Sequence, residues 1–116
     1  MKAEVEIFKT DQIVLKETAE QIQKDFASCG IEIFFSGKEI FPYESLLNQV
    51  EHHIHHLISH HLIQLQTLLY RVDIPEGTYF KLKKHANSFP NELSRLILER
   101  EFMKVVTRHL YKPGTK

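Results

Sequence analysis

Tryptophan is absent from the chain, cysteine occurs once, and glycine and proline occur four times each among 116 residues. Each scarcity excludes something. A single thiol, Cys29, makes no internal disulfide, so a disulfide-stapled secreted scaffold is excluded and a reducing, cytoplasmic location is expected. No run of hydrophobic residues is longer than three, as at Ile33–Phe35 and Leu96–Leu98, whereas a bilayer-spanning helix needs about 20 in a row. The start of the sequence, Met1–Glu6, lacks the apolar stretch of a secretory signal. With no Trp, and no basic cluster flanking apolar side chains, a membrane-surface helix is not expected either. Catalytic motifs are missing too: there is no glycine-rich phosphate loop, no His-Glu-x-x-His, no Cys-x-x-Cys, no Gly-x-Ser-x-Gly, and no Glu-x-x-His pair of the kind that builds dimetal bundle sites. An enzyme would need a site assembled from scattered residues, so the reading leans against catalysis.

What is present suits a packed domain. The chain is 42% hydrophobic and 26% charged, with 15 basic side chains balanced by 15 acidic ones. At this length folding buries roughly 65% of the unfolded surface, enough for a core without metal or disulfides. We expect one helical domain over residues 1–116, with 112–116 as a flexible tail released by Pro113 and Gly114.

The breakers fall in clusters and leave strongly periodic stretches between them. Leu15, Ala19, Ile22, Phe26 and Cys29 recur at steps of three and four, and Gly30 stands where a left-handed cap belongs, which predicts a helix over 11–29. Ile31, Ile33 and Phe35 alternate with Glu32 and Phe34, predicting a short extended segment near 31–36. It has two candidate partners: residues 5–8 as a parallel ladder, or 38–41 as a hairpin. Whether residues 3–8 are helix or strand stays open at this level. Pro42 suits the first turn of a long central helix over 43–71, with Leu47, Val50, Ile54, Leu57, Ile58, His61, Leu65 and Leu68 on one arc. A straight helix of that length would span ~42 Å, so it either bends or projects. Asp73 and Glu76 have the spacing of a capping box for a helix over 74–85. A last helix over 90–111 is predicted to bury Leu96, Phe102, Met103, Val106 and Leu110. The expected fold is mainly α, a compact antiparallel array of about four helices.

Two features bear on function. The first is the run from Glu51 to His61, which holds six of the eight histidines. At ~100° per residue His53, His56 and His60 share one stripe with His52 beside His56, facing away from Val50, Ile54 and Leu68. His52/His56 and His56/His60 have the i, i+4 spacing at which two imidazoles ligate one Zn or Ni ion, so His52, His56 and His60 are the candidate metal ligands. A solvated helix face that tolerates histidine is the competing reading. His61 falls inside the apolar stripe and reads as a core histidine, and Cys29 reads as a small buried hydrophobe.

The second feature is charge segregation. Residues 1–77 carry a net charge of −6 and residues 78–116 a net charge of +6. Arg100, Lys104 and Arg108 repeat every four residues and form a candidate basic face. Glu99 and Glu101 interrupt that row, so charge matching against the acidic half is expected and nucleic-acid binding is not. Ile63, on the histidine side of the central helix, and Leu62 and Leu69, which widen its apolar arc, need cover, either from a second copy or from the first and last helices of the same chain. The expected function is therefore protein–protein interaction without catalysis, through the central helix and with a second copy as partner, in a homodimer needing no cofactor. The alternative is a histidine-rich, Zn- or Ni-binding protein.

Overall fold

Asp11 starts the first helix by capping it: its Oδ1 accepts from the backbone N–H of Ile13 at 2.9 Å and of Val14 at 3.2 Å. In the computed structural model, which describes residues 6–85 and 88–111, helix α1 is Gln12–Ala27. It ends in a Schellman motif. Ile31 N–H donates to Phe26 O at 3.1 Å, Gly30 N–H donates to Ala27 O at 3.0 Å, and Gly30 takes φ +73°. The expected helix and its glycine cap are both there. Ahead of α1, Ile7–Thr10 form one 3-10 turn, so residues 6–8 are not a strand, while residues 3–5 lie outside the described residues.

The segment after Gly30 keeps its period of two without forming a strand. Ile33 is buried, Ile31 and Phe35 are half-buried, and Glu32 and Phe34 are exposed. Neither expected ladder exists among the described residues, because side-chain amides take the place of a neighbouring strand. Gln49 Nε2 donates to Phe34 O and Gln49 Oε1 accepts from Phe34 N–H, each at 2.8 Å, and Gln23 Nε2 donates to Ile33 O at 3.1 Å. Backbone groups that a sheet would satisfy are satisfied here by glutamines on two helices.

The central helix is two helices, α2 (Pro42–His60) and α3 (Leu62–Val72), broken at His61 with φ −143° and ψ 65°. Continued straight, it would nearly match the molecule's full 44 Å length. The break instead turns Leu65, Leu68, Leu69 and Val72 back onto the core. It also changes helical phase, which moves His61 out of the apolar stripe to an exposed position, contrary to its expected core role.

Asp73 is a second correction. It is not the N-cap of the following helix but the C′ residue of α3, in the left-handed conformation at φ +79°. Ile74 N–H donates to Leu69 O at 2.9 Å and Asp73 N–H donates to Tyr70 O at 3.2 Å, again a Schellman motif. Helix α4 is Glu76–His85 and α5 is Phe89–Leu110. The count is thus five α-helices, not four, with no strand among the described residues.

Helix α5 is the hub, packing chiefly on α2 and α1. Its buried face is Leu93, Ile97, Leu98, Phe102, Val105 and Val106. Leu96 and Met103 are only half-buried and Leu110 is exposed, because the core side of α5 lies further around the helix than the sequence pattern placed it. Tyr43 meets Phe102 edge-on at 5.7 Å where α2 starts against α5. No helix among the described residues is long and apolar enough to cross a membrane, and residues 112–116 lie outside them.

Candidate functional site

The histidines of α2 divide according to the helix face they occupy. His55 points toward α5, where its Nε2 bonds Asn91 Oδ1 at 2.9 Å, so it ties two helices together. His53 is half-buried beside the 31–35 segment; burial first, and the imidazole of His52 second, lower its pKa. His52 lies edge-on to His53 with ring centroids 5.3 Å apart. His56 and His60 stack at 4.8 Å, and His60 Nδ1 sits 3.3 Å from His56 O. The break then folds His61 back to 5.3 Å from His56 and 6.3 Å from His60.

Of the expected ligand trio, the rings of His56 and His60 are brought together, His52 instead lies against His53, and the ring near the pair is that of His61. In the side-chain conformations present, no three His, Cys, Asp or Glu among the described residues converge as metal ligands. His52, His53, His56 and His61 line an open concavity of about 720 Å³ whose other wall includes Cys29 and Phe34. Cys29 is half-buried there, its Sγ 3.5 Å from Gln64 O.

The three candidate interaction residues do not share a face. Leu69 is 7% exposed and belongs to the core, because the turn at His61 rotates it inward. Leu62 and Ile63 are 51% and 80% exposed. Tyr70, which the sequence pattern did not single out, is 84% exposed. It lies two turns beyond Ile63, within about 20° of it around α3, and that spacing of seven was the available signal.

The basic row on α5 is met by partners within the chain. Arg100 bonds Asp73 Oδ2 at 2.9 Å, Arg108 bonds Gln21 Oε1 at 3.2 Å, and His109 meets Glu17, one turn before Gln21 on α1, at 3.0 Å. Lys104 Nζ reaches Asp25 Oδ2 at 3.4 Å, Glu101 Oε1 at 3.0 Å and Arg71 O at 3.2 Å. These contacts match the positive half to the acidic helix α1 and to the end of α3.

Inside that contact lies a group the sequence pattern concealed. Glu101 is completely buried, and the Lys104 ammonium, though close, is not in hydrogen-bond geometry with either carboxyl oxygen. Burial pushes its pKa up to about 8; Asp25 adds to the rise and Lys104 opposes it. Glu101 thus holds its proton more tightly than an ordinary carboxyl, and the neighbouring Asp25 accepts from Gln21 Nε2 at 3.2 Å. A carboxyl with a raised pKa resembles a general acid, but this one is sealed from any substrate. Its position was legible in one respect, since Ile97, Glu101 and Val105 are four apart on the buried stripe of α5. Comparison of the chain with protein-family models, with curated proteins and with solved structures gives no match.

Proposed function

We propose that the protein acts without catalysis, by protein–protein interaction, and that its partner is a second copy of itself docked on the outward face of α3. One observation carries the reading: Ile63 and Tyr70 stand fully out on the side of α3 opposite Leu65, Leu68 and Val72, with only Gln66 and Thr67 between them. No Asp, Glu, Lys or Arg occurs between Glu51 and Arg71. A solvent-facing helix ordinarily carries charge on its outer side. An uncharged face also meets its own copy across a two-fold axis without setting like charges opposite each other. Leu62 flanks the same surface.

Size-exclusion chromatography with light scattering tests this. The wild-type chain is expected to run as a dimer with or without a chelator, and Ile63→Glu with Tyr70→Glu as a monomer of unchanged helicity. A wild-type monomer at every concentration, or a double variant that still dimerises, contradicts the reading.

A further inference from the structure

We propose that His56, His60 and His61 together form a three-imidazole site for one Zn²⁺ or Ni²⁺ ion, completed by the break between α2 and α3. The proposal is independent of the self-association reading. In a continuous helix residue 61 would sit about 140° around the axis from residue 56, on a different face. At φ −143° and ψ 65° the chain leaves the helix at that residue, and the His61 ring lies 5.3 Å from that of His56.

The ring spacing is compatible with ligation. With a Zn–N bond of about 2.1 Å, a ring centre lies roughly 3.2 Å from the metal, and tetrahedral angles place two such centres about 5.2 Å apart. The three observed separations, 4.8, 5.3 and 6.3 Å, bracket that value. The hydrogen bond of His60 also fixes which of its ring nitrogens is free. A carbonyl oxygen only accepts, so Nδ1–H of His60 donates to His56 O, and the lone pair of Nε2 is left free for a metal.

Convergence of the three nitrogens needs side-chain rotation, because the His56 and His60 rings now stack at 24°. All three side chains are exposed, and the terminal torsion of histidine is broad, so no packed neighbour has to move. Neutral imidazoles without carboxylate favour Zn²⁺, Ni²⁺ or Cu²⁺ over Mg²⁺ and Ca²⁺. The fourth position is left to solvent. Cys29 and His52 line the neighbouring concavity and are not assigned as ligands.

The experiment is calorimetric titration of the chelator-stripped full chain with Zn²⁺ and with Ni²⁺, helicity being checked for every variant. One ion per chain is expected. His56→Ala, His60→Ala and His61→Ala should each weaken binding by about a hundredfold, since losing a ligand costs at least as much as losing a group that merely orients one. His52→Ala and Cys29→Ser should leave affinity unchanged. The decisive variant is His61→Ala, which a simple pair of imidazoles one turn apart on α2 would not notice. Unchanged affinity in His61→Ala, a loss in His52→Ala or Cys29→Ser, half an ion per chain, or no saturable binding would each overturn the assignment.

Discussion

Two trios of ionisable side chains occupy opposite situations in this molecule. Asp25, Glu101 and Lys104 come from α1 and α5 and are nearly closed off from water. His56, His60 and His61 come from one helix end and the break that follows it, and all three are exposed. In the first trio every charge is answered by another group of the trio or by Gln21 and Arg71. In the second the rings contact mainly one another. Burial thus commits ionisable groups to holding helices together, and exposure leaves their donor atoms free for a ligand.

Removing the buried cation should have the largest effect. Lys104→Met leaves the Asp25 carboxylate buried without its counter-charge, so a stability loss of about 3 kcal/mol or more is expected from urea midpoints. Glu101→Gln should cost nothing at neutral pH and is expected to stabilise, because Glu101, held neutral in the folded chain, ionises on unfolding, whereas the amide is neutral in both states. Equal losses from the two substitutions would remove the distinction between a charged and a neutral member of the trio.

Next in size is a pH effect. The folded-state pKa of Glu101 is raised, from the ordinary 4.5 to about 8, so the folded chain binds the proton more tightly than the unfolded one. Its contribution to stability is therefore fully present below pH 4.5 and is lost as pH rises towards 8, on the order of a few kcal/mol in all. The facing groups are Asp25 on α1 and Lys104 on α5. The difference between wild type and Glu101→Gln should shrink or reverse in favour of the variant from pH 5 to pH 9. Parallel profiles would falsify the assignment of the proton to Glu101.

A smaller loss belongs to the wall facing the histidines. Gln49→Ala removes both hydrogen bonds to Phe34 and should destabilise by about 1–2 kcal/mol, detectable as faster amide exchange at residue 34. The smallest change is expected on the histidine side itself. His61→Ala, at an exposed break, should shift metal-free stability by less than about 0.5 kcal/mol by thermal unfolding.

Local signals carried the sequence reading where one residue type has one use. Gly30 after a periodic stripe is a cap in either view, and the alternation of Ile31, Ile33 and Phe35 survives in their burial. The reading failed where packing decided between local options. No Gly or Pro marks His61; the helix breaks there because α3 gains more by turning its leucines onto the core than by continuing outward. Asp is favoured both before helices and in left-handed caps, so Asp73 was ambiguous and its pairing with Arg100 was invisible. Glu101 read as an interruption of a basic row because charge was weighed before its place among Ile97 and Val105. The histidine cluster was plain in the sequence, but its third member depends on the break and was not.

The separation of the two trios is tested most directly by thermal unfolding of wild type, Glu101→Gln and His61→Ala, each with and without saturating Zn²⁺. Metal bound only by the folded chain at about 100 times Kd adds about 2.7 kcal/mol. The account predicts that Zn²⁺ raises Tm equally for wild type and Glu101→Gln, and that His61→Ala keeps the metal-free Tm but loses the rise. A metal response abolished in Glu101→Gln, or retained in full by His61→Ala, would contradict it.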